Sequence, residues 1–369
     1  MKKFLFVLST VALLASCAGE KTIPSKVNVK AVSSMQNATT NNIIYSLPTT
    51  HLKVAVTVEK TIFKVGPFYR YSQKMLNVTD VVTEDKVEWK IKDVDISSYG
   101  LPDPSKQFAI SYEGNNVAPL INLTGDGVLY GINSDVVIEQ SSALKKYDYI
   151  PLPDVDDVNF NDVAMLGKQL EKTSTAAMAQ EAANFIYKLR KRRFKILASD
   201  FEQLPPDGQA YEVMIQELND LEQSFLELFV GKKVNVTETK IFDLEPSSLS
   251  AESDVLFRFS SVKGIVDKMD VSGAPVYIEI KAEEQPKIPD APLPPSKDEV
   301  RNGLFYCKPG KVIVKLIDRN QLIKEQEVYL GQYGQLISLP STILEEERVS
   351  IQLDEKTGAL QSIKRSAKL

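Results

Sequence analysis

Apolar and polar residues alternate in two long regions of the chain, and this pattern predicts half-buried strands in both. In the first region Leu52, Val54 and Val56 fall on one side of the chain, with Lys53 and Thr57 on the other. A period of two residues is that of a strand with one face in the core. The stretches "KVEWKIK", "VYIEI" and "KVIVKL" repeat the alternation, and "YGLPDPSK" and "LTGDG" supply turn residues. Both regions are therefore expected to be β-rich.

Between these regions the apolar period becomes that of a helix. In "AMAQEAANFIYKLRKRRFKIL" apolar residues recur at spacings near three and four, and from Tyr211 to Leu228 they step by three, four, three, four and three. The sequence "LPPDG" separates the two stretches, with Asp207 placed to begin the second helix and Gly231 to end it. Two amphipathic helices with a short break between them predict an antiparallel hairpin.

A proline-rich segment, "EEQPKIPDAPLPPSKDE", interrupts the second β-rich region. Proline has no N–H to donate within a sheet, so a central strand is excluded here. We expect a linker or an extended excursion over the surface. Together, the patterns predict an α+β fold dominated by β structure, in which two sandwich-like or small-barrel domains are joined by the helical hairpin.

The N-terminus has the pattern of an export signal that ends at a cysteine. Lys2 and Lys3 precede an apolar stretch at 4–14, which has the length of a signal-peptide core and is too short to span a membrane. The sequence "LASC" then resembles the bacterial lipobox, which implies cleavage after Ser16 and a covalent lipid on Cys17. A plain secretory signal followed by a chance cysteine is the alternative.

A lipid on Cys17 predicts a protein that is anchored to the outer membrane by its N-terminus. Ala18 stands where an aspartate would resemble an inner-membrane retention signal. A single acid, Glu20, follows closely, so the periplasmic and cell-surface sides both stay open. The polar stretch "SSMQNATTNN" is typical of a flexible tether.

These patterns divide the chain into five predicted parts. They are a signal peptide at 1–16, the lipidated cysteine with a flexible tether at 17–45, an N-terminal β-rich domain at 46–150, the helical hairpin at 151–231, and a C-terminal β-rich domain at 232–369 with the proline-rich interruption at 284–297.

Composition and residue counts exclude several kinds of chemistry. The chain is 43% hydrophobic and 25% charged, which is ordinary for a globular protein. Its net charge of −5 becomes −7 without the two lysines of the signal, which argues against nucleic-acid binding. With Cys17 lipidated only Cys307 remains, so no intramolecular disulfide is expected and Cys307 is interpreted as a small core residue.

The single histidine, His51, limits catalysis further. It precedes a predicted strand, and neither a G-x-S-x-G elbow nor a phosphate-binding glycine motif is present. Zinc sites built from several His and Cys ligands are excluded by count. The acidic stretch "DVDDVNFND" fails as a calcium loop, because Asp162 and Lys168 stand where glycine and glutamate are needed. We therefore predict no cofactor apart from the lipid.

Two local clusters are candidates for binding. The aromatic cluster could platform a sugar or anchor a partner protein, with strand packing as the alternative. The basic run could contact lipid phosphate or an acidic partner, with a solvated helix face as the alternative. The candidate residues are Phe68, Tyr69, Arg70 and Tyr71 in the aromatic cluster, and Arg190, Lys191, Arg192 and Arg193 in the basic run.

Three stretches resemble a family of Bacteroidota outer-membrane lipoproteins that is defined only as a domain of unknown function. They are "NIIYSLPTTHLKVAVTVEKTIFKVGPFYRYSQKML", "ISSYGLPDPSKQFAI" and "LPPDGQAYEVMIQELNDLEQSFLELFVG". The resemblance covers most of the chain after residue 43. It implies an envelope protein and brings no catalytic residues with it.

The function that these observations favour is that of a non-catalytic outer-membrane lipoprotein. Such a protein would be a structural or accessory subunit that docks to another envelope protein, with an outer-membrane barrel among the candidate partners. A glycan-binding surface lipoprotein is the alternative. A hydrolase with two carboxylates about 5–10 Å apart is less favoured, because no acidic pair stands out in the sequence.

Overall fold

The computed structural model describes residues 26–34, 42–113, 119–136, 151–161, 163, 174–198, 208–247, 253–283, 303–340, 343–344, 346 and 348–365. Over these residues the chain forms thirteen strands and three α-helices. The strands are β1 (Lys26–Ala31), β2 (Asn42–Lys64), β3 (Lys86–Glu113), β4 (Ile121–Leu123), β5 (Leu129–Ile132), β6 (Lys232–Leu244), β7 (Asp254–Ser260), β8 (Gly264–Val266), β9 (Ala274–Ala282), β10 (Gly303–Asp318), β11 (Gln321–Pro340), β12 (Val349–Leu353) and β13 (Leu360–Arg365). The helices are α1 (Ser72–Leu76), α2 (Thr175–Leu197) and α3 (Gly208–Val230). The predicted dominance of β structure is confirmed.

The strands form three antiparallel sheets. The first has the order β1-β3-β2-β6, the second β11-β10-β9-β7-β8 and the third β13-β12-β5-β4. One core packs between the first and second sheets, where the inward-facing residues of β2 meet those of β10 and β9. A second core packs between the third sheet and the first halves of β2 and β10. Together the three sheets form what we call the body.

Four long strands connect the two cores. In β2, Tyr45 and Leu47 lie in the second core and Leu52 and Val54 in the first, all of them fully buried. The alternation that predicted this strand is the physical reason, because every second side chain along it reaches one of the two cores. β3, β10 and β11 likewise contribute to both cores.

The sheets do not follow the predicted boundaries between β-rich domains. β6, from the predicted C-terminal domain, pairs with β2 along its whole length. β12, also from that domain, pairs with β5. Each core therefore draws on both predicted domains. Composition could not reveal this, because pairing between strands is set by shape and register rather than by order along the chain.

A strand also lies within the predicted tether. β1 pairs with the end of β3, from Lys26 opposite Glu113 to Ala31 opposite Phe108. Val27 and Val29 are buried in the second core, which gives the short segment its apolar anchor. The tether prediction for 17–45 is therefore corrected at β1.

A buried polar network joins the two cores. The Thr50 hydroxyl donates to the carbonyl of Lys356 at 2.8 Å and accepts from the backbone N–H of Gly331 at 3.0 Å. The side-chain amide of Gln332 pairs with the backbone of Thr50 in both directions, at 3.0 and 2.8 Å. β2, β11 and the turn after β12 are thereby fixed to one another at a point where buried polar groups need partners.

The two long helices form an arm that is attached at one end of the first sheet. α2 and α3 run antiparallel, since Phe185 packs on Phe225 while Arg193 meets Asn219. Their bases share a third core with Phe68 and with Leu76 of α1. Gly231 ends α3 at a φ of +90° and leads directly into β6.

Candidate docking surfaces

The aromatic cluster lies at the base of the arm, and its first member is a core residue. Phe68 is 4% exposed, its ring lies 5.5 Å from that of Phe229, and its backbone N–H donates to the carbonyl of Leu228 at 2.8 Å. Tyr71 packs against the same core. The prediction of Phe68 as a surface contact is therefore wrong, because its ring fills the junction between the arm and the body.

Tyr69 and Arg70 pair with each other on the surface of this turn. The Arg70 Nε donates to the Tyr69 hydroxyl at 2.9 Å, and the guanidinium lies 5.5 Å from the centre of the Tyr69 ring. The hydrogen bond to Tyr69 raises the pKa of Arg70. The four residues therefore do not present a set of coplanar exposed rings, which is what a sugar platform requires.

The basic run divides into an inner and an outer pair. Arg190 Nε donates to one oxygen of Glu222 at 2.7 Å, and Arg193 donates to the other oxygen and to Asn219. Glu222 is buried in the arm, so this ion cluster holds α2 against α3. The prediction of a basic surface is corrected for Arg190 and Arg193, which face the neighbouring helix.

The outer pair, Lys191 and Arg192, is exposed as predicted. Lys188 and Lys195 are exposed beside them. Two apolar residues that accompany these cations were not among the predicted site residues. Phe194 is 71% exposed and Leu197 is 59% exposed. Phe194 follows Arg193 by one residue, which is about 100° around the helix, so it lies outside the stripe of buried residues on α2. This position was the available signal in the sequence.

A second surface that the sequence analysis missed lies on the turns between β7 and β9. Val262 is on the first turn, and Met269 and Val271 are on the second. Their exposed fractions run from 68% to 86%. The Nζ of Lys263 on the first turn reaches the Ser272 hydroxyl on the second at 3.3 Å, so the two turns are neighbours. Sequence spacing gave no signal for them, because isolated apolar residues in polar turns have no period.

The second turn is braced from within. Asp267 accepts from the N–H of Met269 and Asp270 from that of Ser272, both at 2.9 Å. Arg258 of β7 donates to two carbonyl groups, those of Lys268 at 2.8 Å and Gly273 at 3.0 Å. Local bonds of this kind fix the backbone of a turn. The exposed tips are therefore held on a preorganised support; we call Val262, Met269 and Val271 the turn cluster.

Comparison with known proteins places the chain in one family. The family model described as Domain of unknown function (DUF4831) matches residues 41–361. The chain belongs to this family. No curated protein and no solved structure matches it. The matched DUF4831 region begins just before β2 and contains the whole arm and the turn cluster.

Within the DUF4831 region, Cys307 and His51 are held in structural contacts. Cys307 is buried, its thiol donates to the Gly331 carbonyl at 3.1 Å, and burial raises its pKa to about 11. The ring of His51 packs at a tilt against that of Tyr99, whose hydroxyl donates to Asp243 at 2.7 Å. Burial, followed by that bond, raises the pKa of Tyr99.

The described acidic side chains of the DUF4831 region were compared with the requirements of a metal site. No group of three or more His, Cys, Asp or Glu side chains that could hold a metal ion occurs among the described residues. In "DVDDVNFND", Asp154 and Asp157 instead form a capping box on a short 3-10 helix. Burial raises the pKa of Glu355.

The lipidation residues, Ser16 and Cys17, lie outside the described residues of this DUF4831 chain, as does the proline-rich interruption at 284–297. In the part that is described, neither of the long helices is apolar enough to cross a membrane.

Proposed function

We propose that the protein is a non-catalytic accessory subunit of a cell-envelope complex, held at the outer membrane by a lipid on Cys17. The lipobox-like sequence "LASC" after a short basic and apolar start supports the anchor. A diacylglycerol and an added acyl chain on one cysteine would give stable attachment, since stable anchoring takes about two chains. The protein would then act from the periplasmic or the cell-surface side of that membrane.

The turn cluster is the observation that carries the docking role. Three large apolar side chains stand in solvent on turns whose backbone is braced by Arg258 and two aspartates. A folded chain gains nothing for its own stability from such side chains. A partner that buries them gains apolar contact without an ordering cost in the turns, because the turns are already rigid.

The partner that fits this cluster is another envelope protein with an apolar pocket. The exposed tips are small and separate, which suits side chains that enter a cavity in a protein surface. Lys263 and Lys268 on the same two turns are half exposed, and each lies 3.9 Å from a carboxylate of the chain, Asp270 and Asp254 respectively. Such loose, exposed ion pairs are worth little, so acidic groups at the rim of the pocket would still complement these lysines. An outer-membrane barrel is a partner that the proposed anchor would place nearby.

The test is a photocrosslink from the turn cluster in native membranes. A photoreactive amino acid at Met269 reports on whatever covers the cluster, and the same amino acid at Leu120 is the matched control at an exposed site of the body. We expect one protein to crosslink in stoichiometric amount from Met269 and none from Leu120.

The proposal is overturned if no protein crosslinks from Met269, or if the same proteins crosslink equally from both sites. A second variant, Met269→Glu with Val271→Glu, should release the partner during gentle detergent purification while the anchored protein itself stays in the membrane. Protease treatment of intact cells would then assign the side of the membrane. Release of the whole protein by Cys17→Ala would test the anchor separately from the docking.

A further inference from the structure

The outer side of α2 combines cations and apolar residues in one face. With 100° between successive residues, Tyr187, Lys191, Phe194 and Lys195 fall within about a third of the helix circumference. Arg193, which points to α3, lies on the opposite side of that arc. We call these four residues, with Lys188 beside them and with Arg192 and Leu197 at the two edges, the basic face; its seven residues span about 220° of the helix.

Four cations of this face have no ion-pair partner among the described residues. Arg190 and Arg193 are occupied by Glu222, whereas no described acidic side chain pairs with Lys188, Lys191, Arg192 or Lys195. Six of the ten residues from Lys188 to Leu197 are basic. The ion pairs with Glu222 neutralise only part of this positive charge.

The apolar members of the face are equally unpartnered. Phe194 and Leu197 are each more than half exposed, and Tyr187 is nearly so while its hydroxyl donates to the Met75 carbonyl at 2.9 Å. A helix with aromatic and aliphatic residues beside lysine and arginine is typical of one that lies in the plane of a membrane interface.

Three of the four other acidic residues of α3 do not oppose such a contact. Glu212, near the start of the helix, lies roughly 80° around α3 from Glu222, which faces α2. Glu217, Asp220 and Glu227 lie roughly 140°, 160° and 140° from it. They are therefore turned away from α2, on the far side of the arm. Positive charge on one side of the arm and negative charge on the other would orient it on an anionic surface.

We propose that the basic face of α2 binds an anionic membrane surface, with Phe194 entering the interface. A protein partner fits this face less well, because lysine is depleted at protein interfaces and three of its four free cations are lysines. Lysine is a strongly hydrated point charge, which suits contact with lipid phosphate groups. The inference stands without the lipid on Cys17 and without the docking role of the turn cluster.

The test uses the unacylated chain that begins at Ala18, so that no signal peptide or lipid contributes to binding. Sedimentation with phosphatidylglycerol vesicles should capture the protein, and vesicles of phosphatidylcholine alone should not. Lys191→Gln with Lys195→Gln should weaken binding about fivefold for each lysine removed. The matched control, Lys30→Gln with Lys364→Gln, removes the same charge from two exposed positions of the body and should leave binding unchanged.

A second measurement reports the depth of contact. Phe194→Trp places a fluorophore on the face, and anionic vesicles that carry brominated lipid should quench it. The protein without this substitution gives the background from Trp89, which packs on the turn at Gly264. Absence of binding to anionic vesicles overturns the proposal, and so does binding that the two pairs of lysine variants weaken equally. Capture by a protein from the envelope fraction, lost in the Lys191 and Lys195 variant without any vesicle binding, would assign the face to a protein instead.

Discussion

The body and the arm bury apolar residues in the same way and differ in what they show to solvent. In the body, β2 sends Val54 and Val56 inward and Lys53 and Thr57 outward. In the arm, α2 buries Ile186 and Leu189 but leaves Phe194 and Leu197 in solvent among lysines. Packing within the folded protein therefore explains the apolar residues on one face of the arm, whereas it does not explain those on the other face.

The exposed apolar residues of the arm indicate where a functional surface lies. Departures from local folding rules are expected at functional sites, because a contact that appears only with a partner has no reason to form earlier. The basic face and the turn cluster are two such departures. The turn cluster lies on the body next to Gly264, which Trp89 of β3 touches, and the basic face lies on α2 beyond the part that packs in the third core.

The largest expected effects come from a test of whether the body and the arm unfold as one unit. Phe257→Ala in the first core and Phe229→Ala in the third core should each cost about 3–5 kcal/mol, because both rings are fully buried. Hydrogen–deuterium exchange should then show loss of protection throughout the sheets for Phe257→Ala. For Phe229→Ala the loss should centre on α2 and α3, since the arm shares only a small core with the body.

Equal loss of protection in β10 for both variants would show that the body and the arm form a single cooperative unit. Phe194→Ala is the matched control for the arm. It removes the same kind of ring from the exposed side of α2, and the stability change should stay within about 0.5 kcal/mol.

The ion cluster within the arm provides a smaller test. Glu222→Ala leaves Arg190 and Arg193 without their carboxylate and should destabilise the arm by about 1–2 kcal/mol, a value reduced because both arginine side chains are partly exposed. Helix content measured by circular dichroism during thermal unfolding would show it. Glu217→Ala, on the far side of α3, should cost less than half as much. An equal loss for both variants would mean that the buried cluster adds nothing to the attachment of the helices.

Much of the local structure could be predicted from the sequence, whereas the pairing could not. The alternation at Val54 and the stripe from Tyr211 to Leu228 predict β2 and α3 because each depends on neighbouring residues alone. That β6 pairs with β2 depends on residues some 180 positions apart. The turn residues "LPDPS" lie within β3, where the register shifts between Gln107 and Pro102, so a turn pattern became a bulge in a continuing strand.

The candidate surfaces follow the same division. The basic run was visible as a run of charge, but its division into a paired inner half and a free outer half depends on Glu222 being opposite Arg190. Phe68 was visible as an aromatic residue in a turn, but its burial depends on Phe229. Met269 and Val271 had no sequence signal, because their exposure depends on the fold of the turn that carries them.

Cys307 offers a probe that reports on the body alone. In the chain that begins at Ala18 it is the single thiol, and burial both shields it and raises its pKa to about 11. Labelling with a maleimide near pH 7 should therefore be slow in the folded protein and fast in denaturant. Phe229→Ala should leave the labelling rate unchanged and Phe257→Ala should increase it. An increase for Phe229→Ala would mean that opening of the arm also opens the body.

The junction between the body and the arm should have a small dependence on pH. Asp85 accepts from Lys64 at 2.8 Å and from the backbone N–H of Val65 at 2.7 Å, and these bonds, with that of Lys64 the larger, lower its pKa. A carboxyl whose pKa is lowered by folding stabilises the protein fully above its unfolded pKa of about 3.9 and loses that contribution as the pH falls through the folded value. Asp85 is largely solvent-accessible, so its contribution should stay below about 1 kcal/mol. Asp85→Asn should lower stability slightly at pH 7 and flatten the loss of stability below pH 4, as measured by urea unfolding across that range. Asp80→Asn, at a nearby exposed acid, is the control. If the stability of Asp85→Asn and of the parent protein fell identically below pH 4, Asp85 would not be among the contacts that hold the arm to the body.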